Sequence, residues 1–155
     1  MDMLMALAVS IGVLIALWVK FGGMLAPGLA IAVPAGIIAW GCFFAAGGKT
    51  TGLQKTIASN LSGVVWVWLA MTLIGMMGMG SWGWVIIGVV AFILVFQSRV
   101  PALSFIPGAF CGAAVTAWAA PTDPKGYLMV AVALIAGAVL GYVSEMGAGM
   151  LAKKA

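Results

Sequence analysis

The sequence predicts an all-α, polytopic membrane protein of six transmembrane helices, and three observations carry that prediction. Of its 155 residues, 65% are hydrophobic and only 6% are charged, whereas a soluble domain averages about 25% charged. The apolar residues fall into six runs of roughly 15 to 25 residues, each bounded by charge or turn residues and able, as a tilted helix, to cross a hydrocarbon core of about 30 Å. Alternation with a period of two is absent, which argues against a β-barrel.

The runs follow one another with short connections. The first extends from about Met3 to Val19 and ends at Lys20-Phe21-Gly22-Gly23. It lacks the basic segment and small-residue cleavage site of a secretory signal, so it is expected to remain as a span. The second extends from about Met24 to Ala46, the third from Thr56 to Met77 and the fourth from Trp82 to Phe96. The fifth extends from about Pro101 to Ala120, and the sixth from Gly126 to Met150. The connections leave no room for a soluble domain, so residues 1–155 form a single transmembrane domain.

Orientation follows from the basic residues. With the N-terminus inside, the cytoplasmic segments hold Lys49, Lys55, Arg99, Lys153 and Lys154, against Lys20 and Lys125 outside. That asymmetry predicts a multi-pass protein with both termini cytoplasmic.

Composition also limits chemistry. Ten charged residues cannot cover a water-facing surface, and a surplus of four positive charges, scattered along the chain, makes no phosphate-tracking patch. The expected partner is the lipid bilayer, and nucleic acid is excluded. There is no His, and Cys42 and Cys111 lie singly in apolar runs. No metal site, cofactor motif or redox pair is therefore readable, and both cysteines are expected to be small buried hydrophobes. A Met71, Met76, Met77 and Met79 cluster could in principle bind Cu(I), but without Cys or His beside it filler is the expected role. Neither a Ser–His pair, paired aspartates nor a ligand set is present, so no enzyme is expected.

A shift of 74 residues aligns parts of the two halves: Pro27 with Pro101, Ala35 with Ala109, Gly63 with Gly137 and Val65 with Val139. Each half then holds three spans, and an odd number of spans per copy turns the second upside down. Residues 1–77 and 78–155 are thus expected to form a 3+3 inverted repeat. The scarce prolines carry most of this argument. Proline inside a span frees a carbonyl, so Pro34 and Pro107 are candidate kinks beside a pore, with a first-turn position as the alternative.

Polar residues inside the runs supply the remaining candidates. Thr56, Ser59, Asn60 and Ser62 open the third helix. A buried amide requires a partner, so Asn60 should face the bundle interior, bonded to a neighbouring helix or lining an aqueous path. Ser59, Asn60, Ser104 and Thr116 are candidate pore-lining residues, and Trp66 a candidate constriction. Ser104, Gly108, Gly112 and Thr116 recur every fourth residue, as do Gly137, Gly141, Glu145 and Gly149. Such stripes let helices approach closely. Glu145 is the one acid well inside a run; near a cytoplasmic end, it is expected to pair with a cation such as Arg99.

At Leu61-Ser62-Gly63-Val64-Val65-Trp66 and at Ser104-Phe105-Ile106-Pro107-Gly108-Ala109-Phe110-Cys111-Gly112-Ala113, with Gly141-Tyr142 near the end, the chain resembles the YcdZ-like family of small bacterial inner-membrane proteins. The resemblance implies an inner-membrane location and a multi-span helical fold. It brings no substrate and no functional residue.

Together these readings point to a homo-oligomeric channel or facilitator for a small, mostly uncharged solute, since a pump would need a relay of acids or histidines. The alternative is a membrane accessory protein that transports nothing.

Overall fold

The structure is a computed structural model, and it describes residues 1–24, 32–78 and 82–152. Among them are six α-helices and no strand: α1 (Met3–Phe21), α2 (Ala32–Ala45), α3 (Lys49–Met77), α4 (Gly83–Phe96), α5 (Ile106–Ala119) and α6 (Pro124–Leu151). Pro27, Met79, Lys153 and Lys154 lie outside the described residues.

Local chemistry sets most boundaries. Asp2 caps α1 by accepting the Met5 N–H at 2.8 Å, and Asp123 caps α6 by accepting the Gly126 N–H at 2.7 Å, with Pro124 in the first turn. Gly78, in the left-handed region at φ +58°, closes α3. Between α4 and α5 the chain makes two 3-10 turns, Gln97–Arg99 and Pro101–Leu103. Val100 between them is extended, as the residue before a proline prefers.

Two of the expected spans change. The third begins at Lys49 rather than Thr56, because Gly47 and Gly48, at φ +97° and +66°, make the turn and leave everything after them free to be helical. The fifth begins at Ile106 rather than Pro101, since the residues around Pro101 form a 3-10 turn instead. Pro107 sits in the first turn of α5 and does not kink it; Pro34 is the third described residue of α2. A first-turn proline gives up an N–H that has no helical partner anyway. Three stretches, Met3–Met24, Lys49–Met77 and Pro124–Leu151, are long and apolar enough to cross a membrane. The 14-residue α5 is about 21 Å long, less than the hydrocarbon thickness.

The helices pack mainly as two intimate pairs, α2 with α6 and α3 with α5. Gly36 of α2 meets Gly137 of α6, backbone to backbone. Gly63 of α3 meets Ala109 of α5, and Gly112 of α5 meets Asn60 of α3, in the same manner. The apolar core joins the pairs: Ala35 and Ala39 of α2, Val64 of α3, Val115 of α5, and Val130, Ala133 and Leu134 of α6 are all buried in one cluster. Helix α4 buries only Val90 and Leu94, against Ala70 and Ala109. Helix α1 lies on α2 and α6 through Trp18, whose indole fills the notch over Gly22 and Gly36 and donates to the Val33 carbonyl at 3.0 Å.

These contacts give directions. The Lys49 N–H bonds Glu145, and Trp68 lies 6.2 Å from Tyr127, ring to ring, so α3 and α6 run antiparallel. The first half of α1 lies by the last turns of α6, Ser10 donating to the Ser144 carbonyl at 2.9 Å. The start of the chain and the end of α6 thus share one end of the bundle.

Burial along α3 and α6 follows one register. A shift of 74 residues carries α2 (Ala32–Ala45) onto α5 (Ile106–Ala119) and brings α3 (Lys49–Met77) to within one residue of the ends of α6. The buried positions Thr56, Ser59, Asn60, Gly63, Val64, Val67 and Ala70 correspond in turn to Val130, Ala133, Leu134, Gly137, Ala138, Gly141 and Ser144, each of them buried.

The close approaches make a direct prediction. Gly63→Val and Gly137→Val place methyl groups inside the backbone of the facing helix, and each should lower stability by about 1–3 kcal/mol or more in mixed-micelle unfolding. Gly149→Ala, at an exposed position with nothing within 4 Å, should leave the unfolding midpoint unchanged.

Candidate functional site

Six polar side chains are buried among the described residues, all neutral: Ser10, Thr56, Ser59, Asn60, Thr116 and Ser144. Three of them are bonded. Ser10 donates to the Ser144 carbonyl. Ser144 Oγ donates to the Gly141 carbonyl at 2.6 Å and accepts the Trp40 indole N–H at 3.1 Å. Thr116 donates to the Gly112 carbonyl at 2.7 Å. This Ser10–Ser144–Trp40 network ties α1, α2 and α6 together.

The other three form a band on α3. Thr56 and Ser59 are fully buried and Asn60 is 1% exposed. Positions 56, 59 and 60 share the helix face that turns inward. Among the described residues, Thr56 Oγ1, Ser59 Oγ and both Asn60 amide atoms have no hydrogen-bond partner. At about 1.5 Å per residue, Asn60 lies about 16 Å along the 29-residue α3, near the middle of the helix. Its Oδ1 faces Gly108, beside the Phe105 ring, and Gly112 packs on its backbone, so the wall opposite the amide is made by two glycines of α5 and that ring. An unpaired buried amide or hydroxyl typically costs about 1–3 kcal/mol, and the band holds three such side chains within two turns.

A bonded chain borders this band. Ser62 donates to the Ser59 carbonyl at 2.7 Å. The Gln97 amide donates to Ser62 Oγ at 2.8 Å and accepts the Trp66 indole N–H at 3.1 Å. Trp66 is therefore pinned to Gln97, at the end of α4. Trp118 lines a cavity of ≈ 490 Å³ with Pro34, Ile38, Cys111, Ala114 and Val115, and Trp68 meets another at the far end of α3. There it lines a recess of ≈ 240 Å³ with Met71, Thr72, Pro121, Asp123 and Tyr127. A neighbouring recess of ≈ 130 Å³, shared by Met71, Thr116, Ala120, Pro121 and Tyr127, reaches further in. Thr116 stands one helical turn from Gly112, the residue packed on Asn60. Neither recess reaches Thr56, Ser59 or Asn60.

The structure thus brings Ser59, Asn60 and Thr116 to one seam between α3 and α5. It does not bring Pro34 or Pro107, which are exposed on α2 and α5; Pro107, in a first turn, frees no backbone group that would need a polar wall. Ser104 is half-buried, ending the 3-10 turn before α5. Glu145 and Arg99 are not paired. The Glu145 carboxylate accepts the Lys49 N–H at 2.7 Å, where the α3 N-terminus offers unsatisfied donors and partial positive charge. Gly48, the N-cap residue, has no side chain to do this. Arg99 lies over the Phe96 ring at 4.3 Å. Cys42 and Cys111 are free thiols, and Met71, Met76 and Met77 are exposed.

Gln97, Trp40 and Ser144 were not singled out from the sequence. For Gln97 a signal existed: an uncharged amide at a helix end, with Ser62 and Trp66 one turn apart on the helix before it. For Trp40 and Ser144, far apart in the chain, only the fold brings donor to acceptor.

Residues 8–149 match the family described as "Protein of unknown function (DUF1097)". The chain is 34% identical to "Inner membrane protein YcdZ" of Escherichia coli (strain K12) over 150 residues, covering 94% of this chain and 85% of that protein. It is 31% identical to "Uncharacterized protein YahC" of the same organism over 161 residues, covering 99% and 95%. "Inner membrane protein YcdZ" of Salmonella typhimurium is 30% identical over 159 residues, covering 99% and 92%. No solved structure matches.

Two substitutions test these contacts. Glu145→Ala should cost about 1 kcal/mol of stability through loss of the α3 cap, with Glu145→Gln retaining part of it. Gln97→Ala, which strands the Trp66 indole N–H, should cost about 1–2 kcal/mol and shift tryptophan emission. Mixed-micelle unfolding followed by fluorescence reads both.

Proposed function

The chain belongs to the DUF1097 family of membrane proteins of unknown function, and from that premise we propose that it is a channel or facilitator for a small, mostly uncharged solute in the bacterial inner membrane. The observation that carries the reading is the unpartnered band of Thr56, Ser59 and Asn60 at mid-helix depth. Hydrogen-bonding groups that face inward and bond nothing in the protein are what a passing polar solute would use. Thr116 and the recess at the far end of α3 would lead toward them along α5. In this reading the structure is the closed state, and the glycine-lined seam between α3 and α5 is the part that opens.

The solute is uncharged in this reading because none of the buried polar side chains among the described residues carries a charge. The location rests on the printed names of the relatives. Both termini are cytoplasmic in this proposal, since the end of the bundle that holds Lys49, Lys55 and Arg99 is the more basic. The two halves form a 3+3 inverted repeat, a reading supported by the shared register and opposite directions of α3 and α6. The homo-oligomer is supported by the shortness of α5 and the mostly exposed surface of α4: neighbouring copies would complete what one chain leaves thin. No catalytic role is assigned, since His-free chemistry would have to rest on Glu145 alone.

A second reading, a membrane accessory protein that transports nothing, draws on the tight glycine packing and on recesses that stop short of Asn60. Liposome flux separates the two. Reconstituted protein should speed the entry of at least one of urea, glycerol or ammonia above the rate of empty liposomes. Rates equal to empty liposomes for every solute, with insertion verified, together with a stable partner on pull-down, would establish the accessory reading instead.

A further inference from the structure

The chain contains its own control for the polar band. At the register positions of Thr56, Ser59 and Asn60, α6 carries Val130, Ala133 and Leu134, and these are as deeply buried, at 0%, 0% and 1% exposure. The pairs are close in shape. Thr and Val share one branched outline, Asn and Leu both branch at Cγ, and Ser exceeds Ala by one atom. The α6 positions show that this face packs with apolar side chains alone, so packing does not call for the hydroxyls and the amide on α3. Nor do they hold helices together. Where the chain uses buried polarity structurally, at Ser144, the hydroxyl both donates and accepts; Thr56 Oγ1, Ser59 Oγ and the Asn60 amide do neither. Polarity that neither fills space nor bonds protein is a desolvation penalty without return, unless something else arrives to bond it.

Resting on the facilitator reading, which it sharpens, we infer that Thr56, Ser59 and Asn60 form a binding site for a small neutral molecule of the carboxamide or urea class. Asn60 offers two N–H donors and a carbonyl acceptor side by side, and the two hydroxyls donate or accept. A carboxamide or urea presents the same donor and acceptor edge and can pair with the Asn60 amide while its remaining atoms meet Thr56 and Ser59. An ion would bring a charge that none of these neutral groups can balance at this depth. The wall opposite is Gly112, which has no side chain, and Gly108 with the Phe105 ring over it, so a modest separation of α5 from α3 together with a turn of that ring makes room for the molecule beside the amide.

The test is the triple variant Thr56→Val, Ser59→Ala, Asn60→Leu in the full-length chain, which copies the α6 residues onto α3, compared with wild type. Acetamide is the probe and sodium formate the charged control. Wild type should gain a higher unfolding temperature with acetamide and none with formate. The triple variant should fold, match or exceed the wild-type unfolding temperature without ligand, and lose the acetamide shift, and acetamide entry into liposomes should fall about tenfold, the loss of one good hydrogen bond in the transit site. A triple variant that fails to fold or unfolds at a lower temperature would show the polarity to be structural and overturn the inference. Acetamide entry that the triple variant supports at the wild-type rate overturns the site but leaves the facilitator reading standing. An acetamide shift present in wild type and lost in the variant, without flux in either, keeps the site and defeats the facilitator reading. A formate shift equal to that of acetamide would overturn the assignment to neutral solutes.

Discussion

A membrane interior supplies no water to hydrogen-bond what the protein leaves unpaired, and this constraint organises everything else in the structure. Backbone groups are satisfied inside helices. Side-chain groups must either find protein partners or face something that enters. The Ser10–Ser144–Trp40 network shows the first solution, with a hydroxyl, a carbonyl and an indole N–H closing on one another across three helices. The Thr56–Ser59–Asn60 band is the place where that solution is missing. The contrast between two buried polar regions in one small bundle gives the band its meaning.

Close approach of helices is the second condition, and it follows from the lack of a hydrophobic drive between helices in lipid. Gly36 against Gly137, and Gly63 against the backbone at Ala109, bring two helix pairs to contact distances that any larger residue would prevent. The same glycines that tighten α3 on α5 leave Asn60 facing Gly108, Gly112 and the Phe105 ring, none of which bonds its amide. A seam built this way is held by many small contacts and no interlocking side chains, which suits a part that opens and closes. Trp18 plays the opposite role, a large ring that fills the notch over Gly22 and Gly36 and locks α1 to α2.

Much of this was legible in the sequence. Apolar run length and the near absence of charge led to a helical membrane protein, and each run holds a helix. The inward direction of Asn60 followed from the price of burying an amide. The small-residue stripe on α5 correctly marked Gly108 and Gly112 as contact positions, while on α6 it overreached at Gly149, which is exposed. Other features were illegible for identifiable reasons. The start of α3 at Lys49 depended on left-handed glycines, which hydropathy does not register. Proline position alone could not say whether Pro34 and Pro107 open a helix or bend one. The Glu145 partner was a backbone N–H, and a search for opposite charges overlooks backbone donors. The isosteric replacement of the α3 band by Val130, Ala133 and Leu134 became visible only when burial was compared along the two helices.

The central claim is that polar chemistry enters at the α3 band and not at its apolar counterpart. Single cysteines at Ser59 and Ala133, in a Cys42→Ala, Cys111→Ala background and in native vesicles, measure this most directly through their reaction with a small, water-soluble methanethiosulfonate. The account predicts that Ser59→Cys is modified and is protected by acetamide, while Ala133→Cys stays inert. Equal inertness at both positions, in protein that is correctly inserted, would contradict it.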